Sequence, residues 1–122
     1  MDDLAPLQMP ICPYVTSQRL LQGKWAILVL HYLADAPNGT LRFNQLLSQM
    51  PTITHSTLSS QLKSLERDGL VSRSVYPETP PRVEYALTPI GERFRPVLDC
   101  IGAWGDEYIA WQSRQGAQAP RG

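Results

Sequence analysis

Apolar residues Leu20, Leu21, Trp25, Leu28, Val29, Tyr32 and Leu33 return every three or four positions, the period of a helix with one buried stripe. Pro13 suits a first helical turn and Gly23 interrupts the pattern, so two consecutive helices are predicted, closed by Asp35-Ala-Pro-Asn-Gly39. After a brief extended piece at Thr40 to Arg42, Asn44 is placed to cap a short helix that turns Leu46 and Leu47 inward and stops at Pro51. Thr54 then caps a longer helix with Leu58, Leu62 and Leu65 on one stripe, and Gly69 can end it in a left-handed conformation. Its opposite face carries Ser56, Ser60, Lys63, Ser64 and Arg67, with Thr57 and Ser59 at the edges and Gln61 beside the core.

From Val71 the period changes to two. Val83, Tyr85 and Leu87 alternate with Arg82, Glu84 and Ala86, as in a half-buried strand. The preceding run is less regular and sets Arg73 on the side of Val71 and Val75, which predicts an arginine partly covered or paired. Pro77, Pro80 and Pro81 stiffen the turn between the runs, and Arg82 stands at its end. Thr88-Pro89 starts the last helix, where Ile90, Phe94, Val97, Ile101, Trp104, Tyr108 and Trp111 are spaced alternately by four and three residues, a heptad seam. Gly102 and Gly105 beside the seam would admit another backbone, and Pro96 predicts a bend.

This order predicts a mainly α fold with a small β-ribbon (α+β): a winged helix-turn-helix with N- and C-terminal dimerisation helices. In that geometry the helix at about 54–68 lies in the DNA major groove and the ribbon at about 71–87 is the wing. The prolines would present Arg82 to the minor groove or a phosphate with little conformational freedom left to lose.

Composition narrows the function. The 122 residues, 43% hydrophobic and 18% charged, suit one folded domain at 11–112, with flexible ends at 1–10 and 113–122. Met1-Asp-Asp-Leu lacks the features of a secretory leader and the apolar run Trp25 to Leu30 is too short to cross a bilayer, so the expected location is cytoplasmic with no membrane partner. A formal net charge of zero excludes a general cationic coat for polyanions. The cations Arg42, Lys63, Arg67, Arg73 and Arg82 nevertheless cluster mid-chain. Phosphate loops, GxSxG elbows and paired-carboxylate motifs are missing from the sequence, and His31, His55, Cys12 and Cys100 lack ligand spacing. No catalytic residue, cofactor or metal is therefore predicted.

Cys12-Pro13, Gly23-Lys24-Trp25, Arg42-Phe43-Asn44-Gln45-Leu46, the leucines 58, 62 and 65, Asp68-Gly69-Leu70-Val71, the proline ribbon to Tyr85 and Leu87-Thr88 occur in one order. In these the chain resembles HxlR-type winged-helix transcriptional regulators, a branch related to MarR regulators, over about residues 12 to 105. The resemblance implies a homodimer on an operator of two related half-sites. Where such proteins often carry Arg or Lys on the recognition helix, this chain has His55, Ser56, Ser60 and Gln61. A shallow salt dependence follows, with about three to five phosphate contacts per protomer. The predicted double-stranded DNA contacts are Arg42, Thr54, His55, Ser56, Thr57, Ser60, Gln61, Lys63, Ser64, Arg73 and Arg82, with Gln61 able to pair with adenine.

The aromatic seam predicts a C2 dimer built from the last helix and the N-terminal helices, since so small a domain cannot cover it alone. Cys12 precedes a helix start, where thiolate is favoured. The resemblance implies oxidant or electrophile sensing by a cysteine in that region, while Cys100 is expected to be partly buried and structural. A small-molecule effector between the last helix and Trp25 fits the same layout. The rival class is a winged-helix module that binds protein instead of DNA, which neutral overall charge would suit.

Overall fold

In a computed structural model, residues 12–118 are described. Helices α1 (Pro13–Leu20) and α2 (Ala26–Ala34) lead into the two-residue strand β1 (Leu41–Arg42). Helices α3 (Phe43–Gln49) and α4 (His55–Arg67), strands β2 (Val71–Tyr76) and β3 (Arg82–Leu87), and helices α5 (Pro89–Glu92) and α6 (Arg95–Gln118) complete the chain. The strands form one antiparallel sheet in the order β1-β3-β2, with Leu41 opposite Tyr85 and Val71 opposite Leu87. The fold is mainly helical with a small sheet, as the periodicities required.

The core forms where the predicted stripes meet. Val29, Leu30 and Leu33 of α2, Leu46 of α3, Leu58, Leu62 and Leu65 of α4, and Val71, Tyr85 and Leu87 of the sheet are buried against one another. Burying each such side chain is worth about 1.5–3 kcal/mol. Thr54 caps α4 as expected, its hydroxyl accepting from the Thr57 amide at 3.2 Å, and Gly69 follows the helix at φ +85°.

Four local expectations change. Asn44 lies inside α3 rather than capping it; the cap position is Arg42, whose backbone N–H donates to Gln45 Oε1 at 2.8 Å, closing the first turn from within. The alternation of β3 reaches the core because β3 is the central strand, whereas in β2 only Val71 is buried and Val75 is 52% exposed. The far half of the ribbon stands clear of the helices, so Arg73 is exposed and not covered. The last helix is two helices. Pro96, which has no N–H to give, sits in the first turn of α6, and the chain breaks at Arg93-Phe94 instead of bending. Leu98, off the heptad seam, is buried in the core. Finally, α6 continues through Ser113 to Gln118, a stretch expected to be tail; residues 1–10 and 119–122, the remainder of the expected flexible ends, lie outside the described residues.

Two polar knots orient the elements. The Thr88 hydroxyl donates to the Gly69 carbonyl at 2.6 Å and accepts from the Gly91 amide at 3.1 Å, while the Thr88 N–H donates to the Leu70 carbonyl at 3.0 Å. The end of α4, the root of the ribbon and the start of α5 are thus tied at one point. At α6, Arg95 donates to the Ala34 carbonyl at 2.7 Å and pairs with Glu92, fastening the long helix to the end of α2. The hydrogen bond from Arg95 holds the Glu92 carboxyl below its ordinary range.

Gly91 is buried, and a Cβ there would run into the Leu70 carbonyl. Gly91→Ala is expected to lower unfolding free energy by about 1–3 kcal/mol, read as a drop in the urea midpoint at unchanged m-value.

Candidate nucleic-acid interface

Helix α4 buries one face and leaves the other uncovered. Ser56, Ser60, Lys63 and Arg67 point outward, with Thr57 and Ser64 along one border and Ser59 along the other. The first turn is internally wired. Thr54 Oγ1 donates to Thr57 Oγ1 at 2.8 Å and lies 3.4 Å from Ser56 Oγ, so the capping residues stiffen the helix start. His55 is exposed, but its ring lies 4.4 Å from that of Phe43, making it part of the α3–α4 contact as much as of the surface.

Both borders of α4 carry a cation from another element. On one side Arg73 of β2 and Tyr85 of β3 line a cleft with Ser59, Lys63 and Glu66. On the other, the turn between α1 and α2 brings Lys24 and Trp25 beside Thr57, Ser60 and Ser64. Lys24 was not among the predicted contacts. Its only signal in sequence is the Gly23-Lys24-Trp25 triplet, and a lysine some thirty residues before a helix gives no hint that it borders that helix. Arg42 shares a third cleft with Asn44, Gln45 and the wing residues Pro81 to Val83, at the junction of α3 and the ribbon.

Two predicted contacts are placed otherwise. Gln61 is only 8% exposed, and its amide donates to the Gln22 carbonyl at 3.2 Å. It is turned into the seat of the α1–α2 turn and does not project from the helix. Gly23 makes that possible. Its φ is +98°, and the position a Cβ would take is filled by the Gln61 amide.

Arg82 is not at the ribbon tip. It opens β3 opposite Tyr76, its guanidinium 4.2 Å over that ring, with Glu78 at 3.3 Å and Glu84 at 3.5 Å. Those two carboxylates offset its charge. Sequence alternation could not show this, because the partners come from the turn, from its own strand and from across the ribbon.

The seam of α5 and α6 divides in the same manner. Phe94 and Ile101 are half-buried, whereas Ile90, Val97, Trp104, Tyr108 and Trp111 are exposed on the single chain, Trp104 at 65%. Trp104 and Trp111 flank Tyr108 with ring centroids 5.5 and 5.4 Å away, forming one aromatic row. Cys12, at the N-cap of α1, is half-buried; Cys100 is exposed, contrary to its expected structural role. The cleft beside Trp25 opens against α4. Among the described residues no group of three His, Cys, Asp or Glu side chains could hold a metal, and no helix is long and apolar enough to cross a membrane.

A family profile for HxlR-like helix-turn-helix proteins matches residues 20–113. The chain belongs to that family. An uncharacterised HTH-type transcriptional regulator from Methanothermobacter thermautotrophicus is 42% identical to this HxlR-like chain over 110 residues, 90% of the chain and 82% of the relative. A MarR-family regulator from Porphyromonas gingivalis W83 superposes with a TM-score of 0.72 at 36% identity, over 81% of this chain and 94% of that one. The redox regulator HypR in its reduced form superposes with a TM-score of 0.76 at 32% identity, over 84% and 99%. The HxlR-like chain is accordingly a transcriptional regulator on a helix-turn-helix fold with a wing.

Replacing Gly23 should separate two costs. Gly23→Ala is expected to destabilise by about 1–3 kcal/mol through the left-handed φ and the displaced Gln61 amide. In a double-mutant cycle, Gln61→Ala should recover the steric part and leave the backbone part, measured by thermal melts of all four proteins.

Proposed function

We propose that this regulator is a homodimer that binds double-stranded DNA sequence-specifically, with α4 in the major groove and the β2–β3 wing over the adjacent minor groove or phosphates. The observation that carries this reading is the uncovered face of α4, whose leucine stripe is buried while its hydroxyls and cations face outward beside a projecting ribbon. A major groove about 12 Å wide admits one helix, and Ser56 and Ser60 can bond to base edges of either polarity. Lys63, Arg67, Arg73 and Arg42 supply phosphate contacts without sequence preference. Thr54, Thr57 and His55 chiefly fix the helix start. Gln61 does not read adenine, being spent on Gln22. Arg82 braces the wing through Tyr76 and its two carboxylates.

The exposed seam supports the dimer. Water-facing Trp104, Tyr108 and Trp111 form an apolar strip that a second copy of α6 would cover, and α6 is anchored to the DNA-reading body through Arg95 and Leu98. A two-fold pair so joined must hold its α4 helices about 34–36 Å apart to meet successive turns of a duplex. The protein would work in the cytoplasm, with no cofactor. Control through Cys12 is part of the proposal. The cysteine begins α1, which packs through Leu20 and Leu21 against the core and ends at the turn that Gln61 holds, and HypR, a structural neighbour, is a redox regulator.

A duplex selected from a random pool should bind the dimer with a log–log salt slope of about −3 to −5 per protomer. Ser60→Ala should cut discrimination against non-selected DNA, whereas Arg82→Ala should change affinity by less than about threefold with the slope intact, since its charge is already offset. Trp104→Glu should give monomers at micromolar concentration by sedimentation and lose the selected site. No retention of the wild type on any DNA at low salt would instead establish the protein-binding module. Treatment with diamide should weaken operator binding by the wild type and leave Cys12→Ser unaffected.

A further inference from the structure

The cleft between the α1–α2 turn and α4 is lined by Lys24, Trp25, Thr57, Ser60, Gln61 and Ser64. Its volume is about 370 Å³, and no carboxylate lines it. What it offers are donors. Lys24 Nζ is held 5.1 Å over the Trp25 ring, an attraction that keeps the ammonium at the mouth of the cleft instead of letting it roam. Thr57 Oγ1 already accepts a hydrogen bond from Thr54 at 2.8 Å, and Ser64 Oγ accepts one from Arg67 Nη2 at 3.1 Å. A hydroxyl has a single proton to donate, and in both of these it remains free. Ser60, on the outward face beside them, adds a third hydroxyl to the cleft.

The two halves of this cleft are far apart in sequence, Gln22 and Gln61 being separated by 39 residues: one half belongs to the turn before α2, the other to α4. They are joined by the Gln61 amide, which donates to the Gln22 carbonyl and occupies the space that Gly23 leaves open. We infer that Lys24 and the hydroxyls of Thr57 and Ser64 grip the phosphate backbone of the bound duplex, the two hydroxyls, about 10 Å apart along α4, meeting neighbouring phosphates, and that Gln61 is the positioning residue that keeps the lysine against the helix. The inference rests on the DNA-binding reading above. It deepens that reading by adding a phosphate contact from outside the helix-turn-helix and the wing, on the border of α4 away from Arg73.

Because α1 ends at this turn, a shift of α1 would move the lysine and with it a share of the affinity. The grip carries no base information, so its loss weakens all sequences alike.

Lys24→Ala, Gln61→Leu and the double variant are titrated with a selected duplex and a scrambled one across a salt series, with melting temperatures recorded. Lys24→Ala is expected to weaken both duplexes equally, by about five- to tenfold near 0.1 M salt, and to flatten the slope by about 0.9 per protomer. Gln61→Leu should reproduce the flattened slope, and the double variant should be no weaker than Lys24→Ala. A purely structural role for Gln61 would lower the melting temperature and leave the slope at the wild-type value, which overturns the positioning role. An unchanged slope in Lys24→Ala while the wild type still binds the duplex overturns the phosphate grip and spares the DNA reading. If inorganic phosphate alone binds the wild type and not Lys24→Ala while DNA affinity is equal in both, the cleft takes a free anion, and the backbone assignment is overturned as well. Failure of the wild type to bind any duplex removes the reading beneath both.

Discussion

Burial of the leucine stripe of α4 is the constraint from which the rest follows. Leu58, Leu62 and Leu65 are all but inaccessible, so the rotation of the helix about its axis is set to within a fraction of a turn. That rotation alone decides that Ser56, Ser60, Lys63 and Arg67 face water. A helix with a weaker stripe could roll, and its polar face would have no fixed relation to the ribbon. Here the relation is tightened by Thr88, which bonds to Gly69 and Gly91 and ties the root of the ribbon to the end of α4.

The outer face of α4 is sparing in charge, and the fold compensates by bringing cations to its edges. Lys24 and Arg73 come from a turn and a strand on opposite borders of the helix, so a polyanion that meets α4 meets them too. In the proposed complex this arrangement separates two tasks, with phosphates held at the periphery and bases read from the centre. The wing has a different economy. Arg82 is consumed in shaping it, held by Tyr76, Glu78 and Glu84, and the ribbon contributes its projecting backbone and Arg73 more than a free charge at the tip.

The long α6 is fixed to the body at its start and apolar along its exposed length. Leu98 enters the core and Arg95 reaches the end of α2, while Trp104, Tyr108 and Trp111 stack in a row with no cover on the single chain. Such a strip supports the proposed association, because water around it is released only when another apolar surface arrives. The anchoring at Arg95 matters as much as the strip: in the proposed dimer it would fix the angle between the two α4 helices.

Local periodicity determined most of the helices and strands, which face of α4 is buried, the cap at Thr54 and the stop at Gly69, because each depends on residues three, four or two apart, but it ran α5 and α6 together. The resemblance to HxlR-type regulators was likewise legible, in short motifs in a fixed order. What sequence spacing could not reach were contacts between segments distant in the chain. Gln61 sits beside the core in any helical wheel, but only the packed structure shows its amide bonded to Gln22 in space vacated by Gly23. Arg82 has the address of a free tip cation until two carboxylates and a tyrosine ring close around it, and Lys24 has no address at all until the turn folds against α4. A side chain's charge and reach are written in its identity, but whether that charge is free is set by neighbours that arrive through tertiary packing.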